Sequence, residues 1–530
     1  MEETLAGSNI MANGELHPDT PLPLVPLLVV VIGAFMAILD SSIVNVAIPK
    51  LMAVFSVGMD KIQWVSTGYL LGSGVVVPPT GFLADRIGMK KMYVFALAVF
   101  TAGSGLCALA WSDNVLDAFR VVQAVGGGML MPLSMSIMYS MVPREKIGMA
   151  LGLWGIAIAA APSIGPTLGG YLVDRYSWRL IFTINIPVGI VAIILVLLVL
   201  HEFPGKPHLQ FDVPGGVLAA YGAFAYLYAL SEGQDKGWTS LPIVVLFVTG
   251  SFAFLLFALW ELRQREPLID IRLLKNGIFT VSLAATALMT MGLFSSLYLV
   301  PYLVQWLLGY TPLQTGILML PMGLTMGVLM PVSGRLFDRV GAFWPSIAGL
   351  TGAAIVTYRM HTLGLLSSFH AMQVMLVFWA LGVGLAMMPV GTAGMYTIPP
   401  PLVNRAAALS SLVRQIAGSM GIALMVYIMQ SRELFHYNWL AGTLTYASPA
   451  GAGMLRYLSA HYGHAAAVGL LTQFVALRQS TALGIDDAFV VGTVIIVAAI
   501  PCVFFLTKGR VDAARAREAA AFQNNGAKQD

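Results

Sequence analysis

Residues 24–49 read LVPLLVVVIGAFMAILDSSIVNVAIP, and Asp40 is the only charged residue among them. At about 1.5 Å per residue a helix of this length crosses a hydrocarbon core of about 30 Å. A carboxylate in such a run costs about 2.5–3.5 kcal/mol even on lenient insertion scales. Asp40 is therefore expected to face a water-filled cavity or a partner charge. An intramembrane acid is a functional-site hypothesis by default.

The rest of the chain repeats the first part of that pattern. Of 530 residues, 58% are apolar and 10% charged, and mean hydropathy is +0.81. A soluble chain carries about 25% charged residues. The apolar runs are continuous, not alternating, which selects helices over a β-barrel. The expectation is an all-α polytopic membrane protein of fourteen spans: 24–47, 62–83, 91–110, 115–139, 147–172, 179–200, 213–231, 240–261, 278–304, 314–334, 342–360, 370–396, 405–430 and 486–507.

Lys and Arg give the orientation. Of the 29, eighteen fall on one side, nine on the other, and Arg120 and Arg414 lie inside spans. The basic side takes both termini into the cytoplasm. The tail 1–23 holds four acids and no Lys or Arg, unlike a secretory n-region. Cys107 and Cys502 both fall in spans, so no disulfide framework is expected. The loop 431–485 is the one large extramembrane piece, with helical material at 454–464 and 465–481. The tail 508–530 reads as polar and frayed.

Residues 81–88, GFLADRIG, and 334–341, GRLFDRVG, share the pattern G-x-L-x-D-R-x-G. Each lies between two spans on the basic side. The chain therefore reads as two six-span halves, 24–200 and 278–507, with two further spans inserted in 201–277. Paired bundles of this kind suit alternating access around a site near the midplane. Gly81, Asp85, Arg86 and Gly88, with Gly334, Asp338, Arg339 and Gly341, form a candidate gate. Asp85 is placed to accept hydrogen bonds from a helix N-terminus. The plain alternative is a topology signal only.

Arg120 in the fourth span and Asp40 in the first lie roughly 8 Å and 10 Å from the same membrane face, so an ion pair between them is allowed. Burial raises a carboxyl pKa and an adjacent guanidinium lowers it, the balance a proton switch needs. The competing partner for Arg120 is Asp117, one turn away. Arg414 in the thirteenth span has no acid at its depth in its own half. It is open to carbonyls, to Gln415, or to an anionic substrate. In the fifth span Pro162 and Pro166 break the ladder, and Gly165, Gly169 and Gly170 allow close backbone approach, for a bending helix or for static packing. Asn45, Trp64, Tyr69, Trp154, Phe294 and Trp379, with Arg414, are candidate cavity residues. Of 29 methionines, Met319, Met322, Met326, Met330, Met387 and Met388 suit either a permissive apolar pocket or ordinary span filling.

The chain has no Walker loop, Cys/His metal cluster, nucleophile elbow or HExxH. No cofactor, metal, catalytic residue or nucleic-acid partner is expected.

Several stretches together resemble a known family: LDSSIVNVAIP (39–49), QWVSTGYLL (63–71), GFLADRIGMKK (81–91), RVVQAVGGG (120–128), APSIGPTLGG (161–170), WRLIFTINIPVG (178–189) and RQIAGSMG (414–421). They are similar to the fourteen-span drug:proton antiporters of the EmrB/QacA type in the major facilitator superfamily. The resemblance implies a bacterial inner-membrane exporter of amphipathic small molecules. It gives Asp40 and Arg120 proton coupling, and Asp85 and Arg86 gating. The GP-x-x-GG element looks like the family's antiporter motif. Loop 431–485 looks like those pumps that work with a periplasmic membrane-fusion adaptor. The alternatives are a transporter dedicated to one metabolite, and a transport-dead membrane sensor or scaffold.

Overall fold

The computed structural model describes residues 22–143, 146–264, 266–443, 449–470 and 477–526. Most of the N-terminal tail, Arg144, Arg265 and Lys528 thus lie outside the described residues. Each expected span is a helix, and no strand occurs among the described residues. The helices are α1 (Leu24–Phe55), α2 (Trp64–Ile87), α3 (Met89–Ala108), α4 (Asp113–Met141), α5 (Ile147–Arg175), α6 (Asn185–Val199), α7 (Val213–Lys236), α8 (Leu241–Glu261), α9 (Gly277–Tyr302), α10 (Pro312–Val340), α11 (Phe343–Met360), α12 (Phe369–Tyr396), α13 (Val403–Thr443) and α14 (Arg478–Val503). Among the described residues, twelve helical stretches are long and apolar enough to cross a membrane. The other two, α2 and α11, carry more small and polar residues and pack among apolar neighbours.

Helix starts coincide with polar caps. Ser112 accepts from Val115 N at 3.3 Å, Asp212 from Gly215 N at 3.1 Å, and Ser368 from Ala371 N at 3.2 Å. Asn276 accepts from Ile278 N and Phe279 N, both at 3.1 Å. Thr311 and Gln314 form a capping box. These side chains bind amides that the helix itself leaves unpaired.

Helices α1–α6 pack on one another, and α9–α14 likewise. The two sets meet along two seams, α5 against α10 and α2 against α13. The inserted α7 packs on α2, α13 and α8. Outward-facing Leu241, Val248, Phe252 and Leu255 of α8 are exposed, as a lipid-facing surface requires.

The structure departs from expectation at two places. Helix α13 runs past residue 430 to Thr443, and α14 begins at Arg478, so the loop expected at 431–485 is shorter. The extensions are tied together: Asp487 pairs with Arg432 at 2.5 Å and meets His436 at 2.8 Å, and Thr481 donates to Glu433 at 2.7 Å. Between them lie helices Pro449–Tyr462 and His464–Leu470. The C-terminal stretch is also not frayed along its length. Residues Lys508–Gly526 form α15, because DAARAREAAA is built from strong helix formers. Arg515 Nη1 donates to Tyr396 Oη at 2.6 Å, and Lys508 Nζ to Arg339 O at 3.0 Å.

Candidate functional site

Asp40 and Arg120 meet inside the first bundle, at 0% and 1% exposure of their side chains. Arg120 Nη1 donates to Asp40 Oδ2 at 2.5 Å and to Gln123 Oε1 at 2.8 Å; Nε donates to Val65 O at 3.0 Å. The other carboxylate oxygen accepts from Gln123 Nε2 and Asn185 Nδ2, each at 2.9 Å. Asn185 also donates to Ser104 Oγ at 3.0 Å. The guanidinium lies 4.2 Å from the Tyr69 ring centroid. A buried pair survives desolvation only when such further bonds satisfy it. Asp117 does not take Arg120; its Oδ1 is buried without a hydrogen-bond partner.

Four helices build this cluster: α1 brings Asp40, α4 brings Arg120 and Gln123, α6 brings Asn185, and α2 brings Tyr69. Sequence reasoning missed Gln123 and Asn185. The available signal was an amide side chain in an apolar run, in RVVQAVGGG and TINIPVG.

The two repeated turns lie at the same end of the molecule. Both finish a helix on a glycine with left-handed φ, +105° at Gly88 and +81° at Gly341, a conformation that a side chain strains. Asp85 accepts from Asn404 Nδ2 at the start of α13, and pairs with Arg405 at 3.4 Å. Asp338 accepts from the amides of Gly148 and Met149, at 2.9 and 3.1 Å, at the start of α5. Each aspartate thus holds a helix N-terminus of the opposite bundle, where anions are favoured. Gly81 and Gly334 allow the crossing. An added Cβ would lie 2.6 Å from Asn404 O, and 1.9 Å from Gly148 O. Arg86 is half-buried and Arg339 exposed.

Helix α5 uses its small residues on two faces. A Cβ on Gly165 would meet Ser42 Oγ at 2.4 Å, and one on Gly169 would meet Ile43 Cγ2 at 3.1 Å, both on α1. Ser42 Oγ donates to Pro162 O at 3.3 Å. Pro166 lies one turn on, within the same unbroken helix. Gly148, Gly152 and Gly155 face α10, and Gly170 approaches Leu313.

The candidate cavity residues scatter. Trp154 is buried, donates Nε1 to Ser134 Oγ at 2.9 Å, and lies 6.0 Å from the Arg414 guanidinium. Phe294 is exposed beside Gly418. Asn45 is exposed and accepts from Ser66 Oγ at 2.9 Å. Trp64 packs on Tyr228 of α7. Trp379 is fully buried within the second bundle, donating to Thr357 Oγ1 at 3.1 Å, and Tyr69 lies against the Asp40–Arg120 cluster. Among the methionines, Met387 lines a small void with Thr286 and Thr290, while Met319, Met322, Met326 and Met330 are packed core.

Comparison with known proteins agrees with this architecture. Residues 30–422 match the family model described as Major Facilitator Superfamily. The chain is 33% identical over 518 residues to the "Uncharacterized MFS-type transporter YhcA" of Bacillus subtilis (strain 168), covering 96% of this chain and 97% of that one. It is 32% identical to "Multidrug resistance protein Stp" of Mycobacterium tuberculosis (strain CDC 1551 / Oshkosh), over 79% of this chain and 77% of that one. It is 30% identical to "Multidrug export protein EmrB" of Escherichia coli (strain K12), over 81% and 84%. Among solved structures the fold resembles the human organic anion transporter MFSD10, with TM-score 0.59 and 14% identity, over 91% of this chain and all of that one. It also resembles the proton:xylose symporter XylE, with TM-score 0.58 and 13% identity, over 90% and 96%. The chain therefore belongs to the major facilitator superfamily, and the protein is a multi-pass membrane transporter and not an enzyme.

Proposed function

We propose that this transporter exports hydrophobic or amphipathic small molecules across a bacterial inner membrane in exchange for protons. The single observation that carries the reading is the buried Asp40–Arg120 pair, one oxygen on arginine and the other on two amides. The similarity to multidrug export relatives supports the direction. In this reading both termini and the two repeated turns are cytoplasmic, in line with the Lys and Arg distribution.

Protonation removes the negative charge from Asp40 and with it the charge-assisted bond from Arg120. The pair lies within one bundle, so its effect must travel. Ser42 and Ile43, just after Asp40, are the α1 residues that contact Gly165 and Gly169 of α5. Helix α5 in turn carries the seam with α10. Loosening α1 from α4 thus acts on the helix that joins the halves. Each proton entering down 100 mV supplies about 2.3 kcal/mol toward the next turn of the cycle. The connection between α13 and α14 is the candidate contact for a periplasmic membrane-fusion adaptor, tested by reconstitution with a purified adaptor.

The test uses purified protein in proteoliposomes with an acidic lumen and fluorescent dyes of both charge signs. The wild type accumulates at least one dye in the lumen, and an uncoupler abolishes this. Asp40→Asn keeps the fold and loses gradient-driven accumulation by about 100-fold, the effect of removing roughly 2.7 kcal/mol of coupling. Proton-dependent accumulation by Asp40→Asn at the wild-type rate overturns the role given to Asp40.

A further inference from the structure

Arg414 is held very differently from Arg120. Its guanidinium carries five N–H donors and stays charged. Nη2 donates to Ser411 Oγ at 3.0 Å and approaches Met135 Sδ at 3.6 Å, a weak acceptor. No carboxylate pairs with it among the described residues. Gln415, its neighbour, is turned the other way and donates to Leu70 O of α2 at 3.0 Å. Arg414 therefore keeps most of its donors unused and has no carboxylate counter-charge among the described residues.

Its place in the fold gives that charge a use. Arg414 stands on α13 of the second bundle, about 16 Å along the helix from Val403. It reaches Met135 on α4 and Trp154 on α5, both in the first bundle. It is half-buried, where Arg120 is closed off. It lies further along α13 than the Asp85–Asn404–Arg405 contact at that helix's start. The Asp40–Arg120 pair is neutral as a whole, so it offers Arg414 no net counter-charge. An intramembrane charge without a counter-ion is expensive, and its presence here points to a ligand that supplies the missing charge. Trp154 is fixed by Ser134, and Met135 offers a polarisable thioether.

We infer that Arg414 is the anion-recognition group of the transport site, and that preferred substrates pair a carboxylate or sulfonate with an aromatic or otherwise apolar body. Either group offers two oxygens that accept parallel N–H bonds from guanidinium, while the apolar part lies against Trp154 and Met135. This rests on the export reading for the route of the ligand, but the binding claim is separable from it.

The experiment measures equilibrium binding in detergent, without any gradient, of carboxyfluorescein as anion and ethidium as cation. The wild type binds carboxyfluorescein at least about 10-fold tighter than ethidium. Arg414→Gln weakens the anion by about 10- to 100-fold and leaves ethidium unchanged or tighter. Arg414→Lys recovers part of the anion affinity, since it restores charge without the planar fork. A competition on the unaltered protein removes any dependence on variant folding: benzoate displaces carboxyfluorescein, and benzamide, its neutral counterpart in size, does not. Equal displacement by the two, a wild type that prefers the cation, or an Arg414→Gln variant that binds the anion normally overturns the inference. Anion binding that depends on Arg414 without proton-driven transport sinks the export reading alone. Proton-driven export of cations only sinks the anion site alone.

Discussion

Replacing Asp338 by alanine removes the carboxylate from the α5 N-terminus and should open the repeat end of the transporter. Two N–H donors, Gly148 at 2.9 Å and Met149 at 3.1 Å, lose their acceptor. Bonds to a charged group contribute about 1.5–3 kcal/mol each when desolvated. Asp338 is half-buried, and water can partly replace it, so about 2 kcal/mol in total is the appropriate scale. That is roughly a 30-fold change in the ratio of closed to open repeat ends. An open population of about 1% would then rise to roughly 20–25%. Spin labels at Lys91→Cys on α3 and Trp344→Cys on α11, both exposed, read the separation by double electron–electron resonance. The native Cys107 and Cys502 are replaced in that background. Asp338→Asn keeps one carbonyl acceptor for one of the two amides and should fall between. Distance distributions for Asp338→Ala that superimpose on the wild type refute the latch, whatever happens to transport.

Arg120→Met strands Asp40 in a closed interior. It should cost about 3–5 kcal/mol of stability, read as a large drop in thermal unfolding temperature in detergent; an unchanged transition would mean the pair is not buried as found. Gly165→Leu forces a side chain into the space held by Ser42. A loss of about 1–3 kcal/mol is expected, with Ser42→Gly returning part of it in the double variant. Gly88→Ala places a Cβ at left-handed φ and about 2.5 Å from Phe203 O. It should destabilise by about 1–2 kcal/mol, and Gly58→Ala, where nothing lies near, should be close to silent in the same assay.

Helix positions were readable because hydropathy and length are properties of a segment alone. The Asp40–Arg120 pairing was readable because depth follows from residue count along a straight helix. Azimuth was not. Trp379 lies on a helix apolar around its circumference, so no period says whether the ring faces a cavity or Thr357. The same uncertainty hid Asn185, whose amide gains meaning only when α6 is set beside α1. The partners of the repeated aspartates were half legible: acceptance from a helix N-terminus follows from charge, but not which helix. The extension of α13 past residue 430 was missed because a hydropathy window ends where charges begin. Arg432, Glu433 and His436 end the apolar run without ending the helix, since Asp487 and Thr481 of α14 satisfy them.

The duplicated halves meet along two seams that are no longer alike. The α5–α10 seam is close along its length. Gly148 touches Gly334 near one end, Gly155 meets Met330 further along, and Gly316 meets Thr167 near the other. Small residues let the two helices approach this closely, and the Asp338 bonds add specific contacts at the repeat end. The α2–α13 seam is close at the repeat end, where Gly81 meets Asn404, and is then joined by α7. Leu227 sits against Gly74, Ser231 meets Thr67 at 3.3 Å, and Gln234 bonds Gln430 of α13. The inserted helix thus has polar contacts with both bundles, which must yield whenever the bundles rotate apart at that seam. At the repeat end, Asp338 accepts from the Gly148 and Met149 amides, and Asp85 takes the side chains of Asn404 and Arg405. Rotation at the α2–α13 seam therefore has to break the side-chain contacts that α7 makes with both bundles, and α13 also carries Arg414.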